Sequence, residues 1–205
     1  MFLKQNPLQK VFHSWKVILV VSILMGILSA LVSFLVMEKQ YASDAQVLII
    51  SKSRYGVDPY TSVKSSERVG ENLLQVIKTD DFYGKVLDAT TKFDTSKFEN
   101  LSDRQRRKAW EKSVDVAVRY GTGVVDIRSY HASPQEANNM AQAIMETLVS
   151  KGWEYVGGDV TLKIINKPVA TRFAAKPNMV VNGAIGFVVG AFLMVFSLLY
   201  RQKHT

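Results

Sequence analysis

The side chains best suited to chemistry in this chain are few and scattered. Histidine, the usual general base near neutral pH, occurs at His13, His131 and His204. The first and last stand near the two ends of the sequence. His131 stands alone between a strand pattern and a helix start, where a loop residue is expected rather than a base or a ligand. Asp80 and Asp81 can be read as a carboxylate pair, but capping of a helix that starts there accounts for both. The basic run Arg104, Arg106, Arg107 and Lys108 could hold an anionic glycan or a lipid phosphate. Asp103 and Glu111 beside it fit an ordinary solvated helix face better. Gly121-Thr122-Gly123 does not follow a strand and open a helix, as a phosphate loop must, so a turn explains it. The absence of cysteine excludes disulfides, thiolate metal sites and cysteine nucleophiles. No catalytic, cofactor or metal site is assigned, and an enzyme is not expected.

What must position these residues is set by two long runs without charge, Val17 to Met37 and Asn178 to Tyr200. About 20 helical residues at 1.5 Å each cover roughly 30 Å, the thickness of a bilayer's hydrocarbon core. The first run exceeds the core of a signal peptide and shows no small-x-small cleavage site after Val36, so an uncleaved anchor is expected. Lys4, Lys10 and Lys16 precede the first run, and Arg201 and Lys203 follow the second, with no acidic residue on either flank. Short basic flanks stay in the cytoplasm, while a long segment between spans translocates largely regardless of its charge. The predicted organisation is therefore a cytoplasmic flank over 1–16, transmembrane helices over 17–37 and 177–200, an extracytoplasmic domain over 38–176 and a cytoplasmic tail over 201–205. The middle segment holds 21 of the 26 basic residues and all 18 acidic ones, a balance of only +3 out of +8. The positive charge is thus mostly a topology signal, and nucleic acid is not an expected partner.

In the middle segment, Tyr41–Ile50 ends in a β-branched run and reads as a strand. A polar loop with Gly56 and Pro59 follows. Val69, Leu73, Val76 and Ile77 then recur at helical spacing. Asp80 or Asp81 caps a second helix carrying Phe82, Val86 and Leu87, and Ser102 caps a third through Lys112. Val114–Tyr120 and Val125–Arg128 alternate apolar and polar residues about a three-residue turn, a hairpin with its apolar face inward. Ser133-Pro134-Gln135-Glu136 offers a cap, a proline at the first helical position and a glutamate to close a capping box. That helix presents Ala137, Met140, Ala141, Ile144 and Leu148 on one face. Gly157-Gly158 ends it, and Val160–Ile165 is a last strand. The predicted order is β-α-α-α-β-β-α-β, an α+β fold with helices on a small sheet, both membrane helices leaving its base side by side.

Small residues mark the membrane segments. Gly183, Gly186 and Gly190 are spaced by three and four, with Ser197 a heptad further. Ser22, Gly26 and Ala30 are spaced by four, with Ser29 and Ser33 alongside. Such stripes let helix backbones approach closely in lipid. Gly26, Ala30, Gly183, Gly186 and Gly190 are therefore the predicted packing or oligomerisation residues.

Taken together, the two spans, the strand Tyr41–Ile50 after the first, the Ser-Pro-Gln-Glu-Ala helix start and a second span approached through Pro168, Lys176 and Pro177 resemble the Wzz-type polysaccharide co-polymerases. These are chain-length determinants of surface polysaccharide assembly, and their relatives include membrane modulators of bacterial tyrosine kinases. Thr171 and Ala174 stand where the family's proline register would place proline, and the domain is short beside the lipopolysaccharide-type members. The resemblance implies a non-catalytic homo-oligomer in the bacterial inner (plasma) membrane, without a cofactor. It would act with a polysaccharide polymerase and its nascent lipid-linked glycan (O-antigen, capsule or exopolysaccharide). The alternative it implies is an activator of a separate cytoplasmic tyrosine kinase. The five residues Arg201–Thr205 offer little to grip a kinase and favour the first expectation.

Overall fold

The computed structural model describes residues 13–51, 58–157 and 160–203. It divides into two compact units, a pair of terminal helices and a central domain over Gln40–Ala175. Helix α1 (Trp15–Val36) and helix α7 (Met179–Lys203) form the first unit. Both are long and apolar enough to cross a membrane. Asn178 caps α7, its side-chain oxygen accepting from Val181 N at 3.1 Å. Pro177 lies just outside that cap.

The central domain runs β1 (Tyr41–Ser51), α2 (Pro59–Val76), α3 (Asp80–Leu87), α4 (Asp103–Ser113), β2 (Val114–Arg119), β3 (Val124–His131), α5 (Pro134–Lys151), the single-turn α6 (Trp153–Val156) and β4 (Val160–Ala170), with a 3-10 turn at Ser96–Phe98. The fold is α+β, and the four strands form one antiparallel sheet in the order β2-β3-β1-β4. Strand side chains alternate between faces. Ala45, Val47, Ile49, Val114, Val116, Val125 and Ile127 are buried on one face, under α2 and α5. The stripe of α5 supplies Met140, Ile144 and Leu148 to the same core. Trp110 of α4 closes it, packed between Tyr83 and Phe98 at ring separations of 5.0 and 5.9 Å, with its indole N–H on Ile77 O at 2.7 Å. Helix α2 approaches the sheet at Gly70, where a Cβ would stand 2.9 Å from a methyl of Val118.

Several local expectations need correction. Thr79, not Asp80 or Asp81, caps α3 through its side chain. The two aspartates occupy the first turn, where negative charge suits the helix dipole. Pro59 is not in a loop but at the first position of α2, behind the cap Asp58. The hairpin turn has four residues, because Arg119 pairs with Val124. Gly121 and Gly123 supply the positive φ angles of +78° and +65° that such a turn requires. The box at Ser133 forms only its forward limb, Glu136 N donating to Ser133 Oγ at 3.1 Å. The Glu136 carboxylate instead accepts from Asp94 N at 2.6 Å and so ties down the loop after α3.

Pro168 falls inside β4 rather than between the domain and the second span. Proline lacks an N–H, so a sheet tolerates it only at an edge or a bulge. Here both conditions hold: β4 is an edge strand, and its register against β1 shifts twice between Asp44 and Val47.

Candidate functional site: a helix seam and an open polar sheet face

The terminal helices pack through their small residues. A Cβ at Gly186 would lie 2.4 Å from Ser29 Cβ and 2.7 Å from Met25 O, and one at Gly26 would lie 2.9 Å from Gly183 O. Gly183 faces Ala30 at 3.7 Å, and Gly190 faces Met25 and Ser22. All five predicted packing residues thus stand between the two helices of one chain. The large residues Leu24, Leu28, Leu35, Val180, Phe192 and Phe196 point outward. Lipid tails give helices no hydrophobic reason to associate, so close backbone approach and interhelical hydrogen bonds must do so. Both occur here. Ser29 Oγ donates to Asn182 O at 2.9 Å, and Asn182 Nδ2 donates to Ser33 Oγ. Asn182 escaped the sequence reading, although a carboxamide inside an apolar run is a signal for such a contact. Of the residues expected to mark the approach to the second span, Lys176 and Pro177 join through a cis peptide bond, while Pro168 belongs to the sheet.

The second feature is the sheet face opposite the helices. It forms an open concavity of about 680 Å³ lined by Asp44, Gln46, Asp115, Arg119, Asp126 and Arg128 among others. One hydrogen-bonded row crosses all four strands. Arg119 Nε donates to Asp126 Oδ2 at 2.7 Å, Gln46 Nε2 to Asp126 Oδ1 at 2.5 Å, and Asn166 Nδ2 to Gln46 Oε1. Beside it, Arg128 makes two bonds to Asp44. Burial pushes the Asp126 carboxyl up, but bonds from Arg119 and Gln46 outweigh it and hold the group below its usual range. The Asp44 carboxylate raises the Arg128 guanidinium, and burial opposes it only in part. A general acid at neutral pH needs a raised carboxyl. Asp126 is shifted the other way, and its two oxygens are already engaged.

The remaining candidates are placed elsewhere. His131 is not a loop residue. It ends β3 at 4% exposure, with Nε2 3.1 Å from Asp94 O. In the basic run, Arg107 binds Asp80 at 2.6 Å and Arg106 binds Asp103 at 2.9 Å, so half of it is engaged with carboxylates of the same domain. Among the described residues, no three His, Cys, Asp or Glu side chains form a group able to hold a metal.

Two apolar helices flanking an α+β domain in sequence, each long enough to cross a bilayer, fit a two-span membrane protein. Residues 7–90 match the family model of Wzz, described as chain length determinant protein. The match takes in α1, β1, α2 and α3, less than half of the chain, and the resemblance to the Wzz-type family stands on it. No curated protein matches the chain.

Proposed function

We propose that this protein is a non-catalytic membrane regulator that sets the chain length of a surface polysaccharide. The observation that carries the reading is the Wzz chain-length determinant match over residues 7–90. Wzz proteins are membrane-associated, act with polymerases and oligomerise, and the two apolar terminal helices suit that setting. In this reading the chain is a homo-oligomer in the bacterial inner (plasma) membrane. Both termini lie in the cytoplasm, and residues 38–176 meet the polymerase and the nascent lipid-linked glycan outside. The self-paired polar row on the sheet supports a structural face rather than a catalytic one, since both oxygens of Asp126 are engaged and its carboxyl is held below the usual range.

A regulator that makes no bond leaves the polymerase active when it is lost. Deletion, in a strain without a redundant homologue, is expected to leave polymer synthesis intact and to change the length distribution seen on gels of surface polysaccharide. Complementation restores the original distribution. An unchanged profile in the deletion strain would overturn the proposal. Collapse of tyrosine phosphorylation on a partner kinase, with polymer yield falling alongside, would replace it with the kinase-modulator reading.

A further inference from the structure

Phe173 is the most exposed large apolar side chain among the described residues, at 83%. A single exposed apolar residue needs no explanation by itself, but this one is held out by its backbone. Thr171 N donates to Ala42 O at 2.8 Å, and Ala175 N donates to Gln40 O at 2.7 Å. The Thr171 hydroxyl also accepts from Ala42 N at 3.1 Å. Five residues, Thr171 to Ala175, therefore face three, Gln40 to Ala42, across one ladder. The surplus must bulge, and Arg172 and Phe173, both exposed, form its tip.

Both sides of that ladder run into the apolar helices within four residues. Val36 ends α1 four positions before Gln40, and Met179 begins α7 four positions after Ala175. A fully extended chain covers about 3.3–3.6 Å per residue, so each tether reaches roughly 14 Å at most. The base of the tip therefore stays within that distance of the helix ends, beside the headgroup zone. An apolar ring next to a cation is the pairing that lies down in this zone, with the ring at the acyl boundary and the charge among phosphates. From this geometry we infer that Arg172 and Phe173 form an interfacial anchor that inserts into the phospholipid headgroup layer. It holds the membrane-proximal end of the central domain against the leaflet. The inference rests on α1 and α7 crossing a bilayer, and the experiment separates the two.

Because the chain has no cysteine, Phe173→Cys, Tyr120→Cys and Phe192→Cys can each carry one environment-sensitive fluorophore in the full-length protein. Tyr120 lies in the β2–β3 turn at 74% exposure and Phe192 in α7 at 73%. The variants are reconstituted into vesicles of phosphatidylethanolamine and phosphatidylglycerol doped with lipids spin-labelled at the headgroup or deep in the acyl chain. The position-173 probe is expected to emit to the blue of the position-120 probe and to be quenched most by the headgroup label. The position-192 probe should be quenched most by the deep label. If the 173 probe behaves like the 120 probe, or is shielded from water yet quenched by neither lipid, the anchor is refuted, the second result pointing to a protein partner instead. Failure of the 192 probe to see the deep label would remove the spanning reading itself, and the anchor with it.

Discussion

The two halves of this molecule are held together by opposite choices of side chain. In the central domain, the contacts are made by bulk: Trp110, Tyr83 and Phe98 pack as tilted rings 5.0 to 5.9 Å apart, and Leu73, Ile77, Phe82 and Ile144 are almost wholly removed from solvent. In the helix pair, bulk faces outward, and the buried positions are Ser22, Gly26, Ser33, Gly186 and Gly190. Water rewards the removal of apolar area, about 25 cal/mol for each Å². Lipid does not, so association there depends on how near two backbones can come. The same substitution, a glycine exchanged for leucine, would therefore mean different things in the two regions.

The largest effect is expected where the comparison is sharpest. Replacing Gly186 with Leu places a branched side chain where even a Cβ meets Ser29 at 2.4 Å. Spin labels on cysteines at Val17 and Tyr200, in dilute nanodiscs, should then report a longer and broader distance distribution. Leucine at the outward Phe192 should leave it as in the parent. Identical distributions for both variants would end the claim that small residues hold this pair.

Next comes the core. Trp110→Ala should cost about 3–5 kcal/mol, the range for a buried large aromatic, read as a lower urea midpoint of the central domain. Trp110→Phe keeps most of the packing but strands Ile77 O without its donor, at about 1–3 kcal/mol. If the two variants unfold together, the hydrogen bond carries the site and the packing argument fails.

The smallest effect belongs to the sheet face. Asp126 titrates below the usual 3.8 because Arg119 and Gln46 outweigh its burial. A folded value below the unfolded one stabilises the domain at pH above about 4, and that part is lost as pH falls through the folded value. Asp126 keeps a third of its side chain in solvent, so the contribution is about 1 kcal/mol or less. Asp126→Asn should lose up to that amount at pH 7 and little below the folded value, so the acid limb of the stability profile flattens slightly. An equal loss at neutral pH and in acid would show that the row is held by shape rather than charge.

Periodicity made much of this fold legible. The apolar alternation of Val114 to Val118 and of Val125 to Ile127, and the stripe from Ala137 to Leu148, each marked the face that is buried. Local chemistry was read less well where two residues competed for one role. Thr79 and Asp80 both suit a cap, and Asp58-Pro59 carried a start signal that the surrounding glycine and tyrosines obscured. The polar row was not foreseen. Its members alternate visibly within each strand, but which strand lies beside which depends on pairing over as many as 120 positions, as between Asn166 and Gln46. Pro168 was misplaced for a related reason. Proline argues against a strand interior, and only the position of β4 at the edge, with its shifted register, makes room for it.

That edge has a consequence for crowding. Proteins confined to a membrane plane meet repeatedly in one orientation, the condition under which a bare strand recruits a neighbour's strand and the process repeats without limit. On β4, a residue with no hydrogen to donate sits in a stretch of broken register, with the cations Lys163 and Lys167 before it on the same strand. An incoming strand would find its ladder interrupted and its approach opposed by charge. Edge-to-edge growth from this strand is thereby opposed before it can begin.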